Sequence, residues 1–132
     1  MTAEGNRELI RRWVDVVWNR GDVGASDELI TGDFVNHNVA SLTPVQGRDG
    51  HDAWVTTSRA VLDGWHVTLD DVVAEGDRAA ARWTIRGTNR QTGRQSTVPG
   101  MHFYRFEDGK IAEMWTCFDR FDAGRQLGEQ GG

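Results

Sequence analysis

Four segments in the second half of the chain decide the fold: HVTLDDVVA (66–74), RAAARWTIRGT (78–88), QSTVPGMHFYRF (95–106) and IAEMWTCFD (111–119). Apolar and polar residues alternate along these segments, and a period of two is typical of a β-strand with two different faces. Each of the short turns between them carries a glycine. Because short connections join neighbouring strands, we expect a meander of four antiparallel strands.

Three helices are predicted ahead of the meander. In residues 4–20 the apolar side chains recur at three- and four-residue spacings, which gives one wide apolar face, and Thr2 is a suitable N-cap. Shorter helices are predicted over roughly 24–30 and 50–62, with an extended piece at 34–38 between them. Helices followed by a meander predict an α+β fold, in which three N-terminal helices pack on one face of a curved antiparallel sheet.

Length and charge limit the class of protein. The 132 residues suit a single domain over 1–132, with a core at about 6–119 and a polar tail at 120–132. The net charge of −5 and the lack of a basic patch exclude nucleic acid and an anionic membrane as expected partners. No apolar run approaches the roughly 20 residues of a membrane span. The lone Cys117 cannot form an internal disulfide, so a cytoplasmic location is expected.

The last hairpin, RFEDGKIAEMW (105–115), allows two registers. We favour a three-residue loop with Gly109 in the left-handed region, which pairs His102 with Met114; a two-residue turn would place His102 beside Trp115. In the favoured register one face mixes aromatic and neutral polar groups, as in the wall of a pocket: His102, Tyr104, Phe106, Ala112, Met114, Thr116 and Phe118. Both faces carry large apolar residues, so we expect helices to cover one and a second subunit the other.

Several segments together resemble the SnoaL-like polyketide cyclases, a family of the nuclear transport factor two-like, cone-shaped α+β superfamily. These are VVWNRGD (16–22), DELITGDFVNH (27–37), VVAEGDRAAARWTIRGT (72–88), RFEDGKIAEMW (105–115) and RQLGE (125–129). The similarity covers almost the whole chain. It implies three helices capping a strongly curved sheet, an internal apolar cavity, and dimers or tetramers formed through the sheet.

The resemblance also implies positions for catalytic residues. In the aromatic polyketide cyclases an Asp of the final strand and a His of the preceding strand act together in ring closure; the His position is His102, but the Asp position is Thr116. Asp119 lies three residues further on and points to the opposite face in the favoured register, so it can serve only where the strand end bends or bulges. The site of the catalytic Asp in ketosteroid isomerase-like members corresponds to 36–38, which has no carboxylate, and Arg82 lacks the Asp neighbours of limonene epoxide hydrolase-like members.

The strand faces and the resemblance give the candidate site. Catalytic candidates are His102, Thr116 and Asp119; substrate-binding candidates are Trp18, Asn36, His37, Trp54, Trp83, Tyr104, Met114 and Phe118. An ordinary histidine pKa of about 6.5 suits proton transfer near neutral pH, which favours His102 as the acid–base group or as an oxyanion donor, assisted by Thr116, Tyr104 and Asn36. The alternative is a core histidine bonded to a backbone carbonyl or to Tyr104. Asn36 and His37 are expected near the cavity mouth, or else in a polar loop.

Six tryptophans are many for this length, and a side chain so costly to expose implies an interior, a ligand pocket or an interface. The predicted elements divide them into a core position (Trp13), cavity positions (Trp18, Trp54, Trp83), an outer position (Trp115) and an unassigned one (Trp65). Cavity indoles would stack on a flat polycyclic or isoprenoid-like ligand, although plain core packing is the alternative.

The remaining polar residues are expected to play ordinary roles. His51 and His66 begin a helix and a strand, where solvated side chains are the rule. Asp70 and Asp71 are adjacent in a strand and so point to opposite faces, with Arg82 as a candidate partner. The histidines lack metal-ligand spacing and no phosphate-binding glycine motif is present, so we expect neither a metal nor a cofactor.

These features favour an enzyme that cyclises or isomerises a hydrophobic, polyketide- or terpenoid-like molecule without a cofactor, with hydrolysis or dehydration as related reactions. The alternative is a non-catalytic carrier of an apolar ligand, because the family's Asp position is Thr116. A third possibility is an oligomeric scaffold whose cavity is filled by side chains.

Overall fold

The elements follow the expected order, with helices ahead of a meander. The structure is a computed structural model, and it describes residues 2–38 and 44–118. Its elements are α1 (Ala3–Arg12), a π-helical continuation (Trp13–Asn19), a 3₁₀ turn (Val23–Ala25), α2 (Ser26–Leu29), β1 (Ile30–Asn38), β2 (Val45–Gln46), α3 (Gly47–Arg59), β3 (Leu62–Glu75), β4 (Arg78–Asn89), β5 (Gln95–Glu107) and β6 (Lys110–Phe118). The fold is α+β, as the sequence predicts.

The first helix begins where the sequence predicts. Thr2 is its N-cap, and its hydroxyl oxygen accepts a hydrogen bond of 3.0 Å from the Gly5 N–H. From Trp13 the helix widens into π geometry. Because π-helical turns bring residues i and i+5 to the same face, Trp13 and Trp18 meet edge to face, with 5.9 Å between ring centroids. This segment thereby aims two indoles at the sheet.

The sheet has six strands in the order β2–β1–β6–β5–β4–β3. The four strands of the meander pair antiparallel, as predicted. The expectation of a purely antiparallel sheet is wrong for β1, which pairs with β6 in parallel. Residue 30 already belongs to β1, which the prediction began only at 34. After β1 the chain passes through β2 and α3 and re-enters the sheet at the opposite edge, as β3. The side of β1 that β2 does not occupy is therefore available to pair with the last strand, β6.

Both registers considered for the last hairpin are wrong. Asp108 and Gly109 both have positive φ, 51° and 74°, which is the two-residue type I′ geometry favoured by Asp-Gly. A bulge beyond this turn then shifts the pairing, so that His102 lies opposite Thr116. The predicted faces nevertheless hold for 102, 104, 106, 112, 114 and 116, which are all buried. Beyond the bulge, the pairing partners are shifted by two residues from the favoured register, and a shift of two residues keeps each side chain on the same face.

Another bulge, between Leu69 and Asp71 in β3, overturns the prediction that Asp70 and Asp71 point to opposite faces. The Thr84 hydroxyl donates to Asp70 at 2.6 Å, and Arg82 Nε donates to Asp71 at 2.9 Å. Arg82 and Thr84 are two apart on β4 and therefore share a face. Both carboxylates lie on the outer face of the sheet. The predicted pairing with Arg82 is confirmed for Asp71.

The helices cover the inner face of the sheet, and the core lies between them. Its largest fully buried side chains include Trp13, Phe34, Tyr104 and Met114. The outer face is different, because Met101 and Phe103 remain 50% and 44% exposed there. This asymmetry leaves a covered face on one side of the sheet and an uncovered apolar surface on the other.

Candidate functional site

A cavity of about 350 Å³ lies between the helices and the inner face of the sheet. Its wall includes all the tryptophans of the chain except Trp115: Trp13, Trp18, Trp54, Trp65 and Trp83. No Asp, Glu, Lys or Arg belongs to the lining residues of the described chain. The volume falls in the range of small-molecule sites, so side chains do not fill this space. The arrangement suits an uncharged apolar ligand.

Three tryptophans form a cluster on one wall of the cavity. Trp18 meets Trp54 edge to face at 4.8 Å and stacks on Trp65 at 5.7 Å with an interplanar angle of 21°. The sequence left Trp65 unassigned because β3 was predicted to begin at 66 rather than at Leu62. Its alternation with Val67, another cavity residue, is the signal that would have placed it.

Trp83 forms another part of the wall, and a glycine allows its position. Trp83 pairs with Gly100 across β4 and β5. A Cβ atom built on Gly100 would lie 2.3 Å from Trp83 Cη2, which is far inside van der Waals contact. The indole therefore lies directly over the glycine backbone. From there it packs beside His102, with 5.0 Å between the ring centroids.

His102 lies on the cavity wall in β5 and is only 8% exposed. Its Nδ1 is 3.0 Å from the Tyr104 hydroxyl oxygen, and its ring also packs against Trp13 at 5.9 Å. Burial lowers the pKa of His102 to about 3, since the apolar surroundings disfavour the charged imidazolium. Burial raises the pKa of Tyr104 well above its ordinary value for the same reason. Both groups are neutral at pH 7.

Thr116 lies beside His102 on the neighbouring strand and also lines the cavity. Its hydroxyl is held by Asn36 of β1, whose Nδ2 donates to Thr116 Oγ1 at 2.9 Å. Asn36 is fully buried and does not line the cavity, so it lies behind Thr116 rather than at a cavity mouth. The structure thus brings together a neutral imidazole and a buried hydroxyl on adjacent strands, where the family's scheme has a His and an Asp.

The other sequence candidates divide between the cavity wall and the core. Trp18, Trp54 and Trp83 line the cavity, whereas Tyr104 and Met114 are fully buried and do not. Tyr104 lies behind two residues of the cavity wall, since it is bonded to His102 and packs edge to face on Trp13. The side chain of Phe118 and all of Asp119 are outside the described residues, so their assignments stay predictions.

His37 lies on the outer face of the sheet, which corrects its expected place at the cavity mouth. Its Nε2 is 2.6 Å from Glu113, and its ring stacks on Trp115 at 5.3 Å. Arg105 and His37 hold the pKa of the Glu113 carboxyl below its ordinary value, with Arg105 the stronger influence. The cause of the misplacement is alternation: Asn36 points inward, so the next residue must point outward.

His51 is fully buried, which contradicts the expectation of a solvated helix start. Helix α3 begins at Gly47, four residues earlier, so His51 faces the core from the second turn. Trp13 Nε1 donates to His51 Nε2 at 3.0 Å, and His51 Nδ1 therefore carries the proton that it donates to Asp52 at 2.8 Å. Burial lowers the pKa of His51, although Asp52 opposes the effect. This hydrogen-bond chain fixes the indole of Trp13, a cavity residue.

Two further observations bear on the expected cofactors and partners. Among the described residues, no three His, Cys, Asp or Glu side chains are grouped as a metal site would require. None of the described helices has the length and apolar character that a membrane span requires.

Comparisons with known proteins agree with the architecture. A family model of the SnoaL-like polyketide cyclases matches residues 8–127. TsrD from Streptomyces laurentii has a similar structure, with a TM-score of 0.84, 27% identity, and coverage of 97% of this chain and 98% of that one. Wild-type IdmH from Streptomyces antibioticus, described as a candidate polyketide cyclase, gives a TM-score of 0.80, 29% identity, and coverage of 92% and 97%.

A SnoaL-like protein from Jannaschia sp. CCS1 has the same fold at 19% identity, with a TM-score of 0.86 and coverage of 96% of this chain and 93% of that one. No curated protein matches this chain in sequence. The family match spans nearly the whole chain, and the inner sheet face, helical cap and cavity have the arrangement that the resemblance implies. The chain belongs to the SnoaL-like polyketide cyclase family.

Proposed function

We propose that this protein is an enzyme that cyclises or isomerises a hydrophobic, polyketide- or terpenoid-like molecule in its cavity without a cofactor. The observation that carries the proposal is the single imidazole, His102, set in a neutral, tryptophan-lined cavity of about 350 Å³. Folding a flexible substrate in such a space gives much of the catalysis through orientation alone. Exclusion of water from the cavity strengthens every hydrogen bond that the protein makes to a carbonyl group of the substrate.

His102 acts as an oxyanion donor rather than as an acid–base group. With a pKa of about 3 it is not an imidazolium at neutral pH and so is not a general acid, and it is too weak a base to remove a proton efficiently. When Tyr104 donates to Nδ1, the ring takes the tautomer in which Nε2 carries the hydrogen. This N–H polarises a ligand carbonyl and stabilises the enolate that forms from it.

Thr116 and Asp119 complete the proposed site. The Thr116 hydroxyl, oriented by Asn36, supplies a second polar contact beside His102. A proton acceptor is still required, and no carboxylate belongs to the lining residues of the described chain. Asp119, the residue after β6, is our candidate for that base, a role that requires a bend or bulge at the strand end, because alternation from Thr116 directs residue 119 to the outer face.

A non-catalytic carrier is the second candidate function. It is favoured by the same two facts that restrict the mechanism, namely the absence of a carboxylate from the described cavity wall and the low pKa of His102. A carrier needs only apolar surface and a few hydrogen bonds, and the cavity offers both. The two functions differ in whether the ligand is changed.

The remaining expectations concern assembly and location. We propose a homodimer, or a tetramer, formed through the outer face of the sheet, where Met101 and Phe103 are exposed beside the half-buried Trp115. Large apolar side chains grouped on one face favour association. We keep the cytoplasm as the proposed location, since the free thiol of Cys117 is exposed and would be retained there.

Hydrogen–deuterium exchange at the α-carbons of a ketone probe distinguishes an enzyme from a carrier. The probe is 2-tetralone in D2O, a neutral bicyclic ketone whose α-protons exchange through an enolate, followed by proton NMR. We expect the protein to accelerate exchange, and His102→Asn to abolish the acceleration. Asn can keep an acceptor near Nδ1 for Tyr104 but has no group at the position of Nε2.

The matched controls are His102→Gln, which restores an N–H donor near that position and should recover part of the acceleration, and His66→Gln, which changes an exposed histidine. Binding of 2-tetralone with no acceleration by the wild-type protein would favour the carrier. Equal acceleration by wild type and His102→Asn would refute the role of His102.

A further inference from the structure

Trp13 connects the cavity with a second buried histidine, His51. Its indole lines the cavity and packs against His102, with 5.9 Å between the ring centroids, and it meets Tyr104 edge to face at 6.0 Å. The indole N–H donates to His51 Nε2 at 3.0 Å. The proposed function uses His102 and leaves His51 without a role. His51 nevertheless holds a ring that forms the wall beside His102.

The hydrogen bond from Trp13 fixes the protonation state of His51. An indole N–H is a donor only, so His51 Nε2 must carry a lone pair, and the hydrogen of the neutral ring is on Nδ1, which lies 2.8 Å from Asp52 Oδ1. In an imidazolium both ring nitrogens carry hydrogens. The N–H of Trp13 would then face an N–H of His51 across 3.0 Å, and the bond would be lost. The contact therefore requires a neutral His51.

The surroundings of His51 keep it neutral at pH 7 and supply one opposing charge. Its side chain is fully buried. The neighbouring rings are Trp13 of the π-helical segment, Phe34 of β1 at 5.3 Å and Trp54 of α3 at 6.1 Å, and none of them titrates. Burial lowers the pKa of His51, whereas the carboxylate of Asp52 raises it, and no other charged group of the described chain influences it. Asp52 is 31% exposed, so this pair links the buried ring to solvent.

Protonation of His51 would displace Trp13 toward the cavity. Trp13 is fully buried, and the rings of Trp18 and Trp54 pack against it at 5.9 and 6.3 Å. The open space at its boundary is the cavity of about 350 Å³. Because protein interiors are close-packed, an indole pushed away from His51 moves into that open space. There it takes up volume that a ligand needs.

We propose that His51 and Asp52 form a proton-controlled support for the cavity: neutral His51 positions Trp13 beside His102, and protonation of His51 releases Trp13 and weakens binding of the ligand. The proposal rests on the proposed function, because it concerns the ligand of the same cavity, and it adds a mode of regulation. His51 is not a lining residue of the cavity, so it acts through Trp13 as a positioning residue.

Thermodynamic linkage gives the most direct test. If the ligand binds better to the protein with neutral His51, its binding must lower the pKa of His51 by the corresponding factor. The probe is 1-tetralone, a neutral bicyclic ketone, and the pKa of His51 is measured from its imidazole ¹⁵N signals with and without the probe. Binding that is about threefold weaker to the protonated protein lowers this pKa by about 0.5. The Trp13 indole proton signal should move upfield as His51 is protonated, since its hydrogen bond is lost.

His51→Gln separates a proton-controlled support from a merely structural one. Gln can place an oxygen near the position of Nε2, and it does not titrate. We expect its Kd for 1-tetralone to match that of the wild type at pH 7.5 within about threefold and to stay constant within about twofold down to pH 5, while the wild-type Kd rises. His51→Leu offers no acceptor to Trp13 and should weaken binding at both pH values.

Asp52→Asn tests the other member of the pair. Asn keeps an oxygen that accepts from His51 Nδ1 but carries no charge, so the pKa of His51 should fall further and the loss of binding should begin at a lower pH. Asp49→Asn is the matched control, since Asp49 is an exposed carboxylate of the same helix. It should leave the pH dependence of binding unchanged.

Each outcome supports or overturns the inference. An equal pKa of His51 in the free and the bound protein, or a His51 that does not titrate before the protein unfolds, overturns it and leaves the proposed function standing. A Kd that rises in His51→Gln as steeply as in the wild type also overturns it. Failure of 1-tetralone to bind at pH 7.5 contradicts the proposed function and the inference together. The wild-type titrations remain decisive even where a variant does not fold.

Discussion

Acidification should destabilise this protein through His102, and the size of the effect follows from its burial. The imidazole has an ordinary pKa of 6.5 in the unfolded chain and about 3 in the folded one. Above pH 6.5 both states are neutral. As the pH falls below 6.5, the unfolded chain binds a proton that the folded protein does not bind. The free energy of unfolding therefore decreases as the pH is lowered, down to about pH 3. Between pH 7 and pH 5 this linkage removes about 2 kcal/mol of unfolding free energy.

Urea unfolding at pH 7 and pH 5, at fixed protein concentration, measures the effect. His102→Asn is the matched variant, because Asn does not titrate and can keep an acceptor for Tyr104. The wild-type protein should lose about 2 kcal/mol more than the variant over this range. His51 acts in the same direction, but it is present in both proteins and cancels. Equal losses in the two proteins would mean that His102 titrates as a solvated histidine, and the reasoning would be refuted.

Three other perturbations follow from the packing. Gly100→Ala places a Cβ 2.3 Å from Trp83 and should destabilise the protein by about 1–3 kcal/mol in urea unfolding, while weakening ligand binding. His51→Leu removes the acceptor of the Trp13 N–H and should cost about 1–3 kcal/mol, measured the same way. Phe103→Glu places a charge on the exposed outer face and should shift the proposed dimer to monomer in sedimentation equilibrium.

The chain offers controls for these changes. Gly50→Ala, in helix α3, meets nothing closer than 3.7 Å and should be neutral or stabilising by up to about 1 kcal/mol. His66→Leu alters an exposed histidine and should change stability little. A Gly100→Ala protein as stable as Gly50→Ala would show that Trp83 does not lie over the glycine. Monomeric wild-type protein would contradict the proposed outer-face dimer.

The sequence predicted the fold because its local signals agree with each other. The strands of the meander alternate, the first helix has a wide apolar face, and Thr2 caps it in the structure as predicted. The faces of 102, 104 and 106 also followed from alternation alone. These features depend only on neighbours along the chain.

The errors came from features that alternation does not encode. A bulge adds one residue without any sequence mark of its own, and bulges changed the partner of His102 and the direction of Asp70. His51 was misplaced because the helix starts earlier than predicted, so its position on the helix could not be assigned correctly. The parallel pairing of β1 with β6 joins segments about 80 residues apart, and periodicity does not choose partners at that distance.

The account depends most on a neutral His102 that presents an Nε2–H to the cavity. Long-range ¹H–¹⁵N NMR of the imidazole at pH 7, with and without 1-tetralone, measures this state directly. We predict the neutral tautomer with the hydrogen on Nε2, unchanged down to pH 5, and a downfield movement of that proton when the ketone binds. An imidazolium at pH 7, a hydrogen on Nδ1, or a spectrum indifferent to bound ketone would contradict the account.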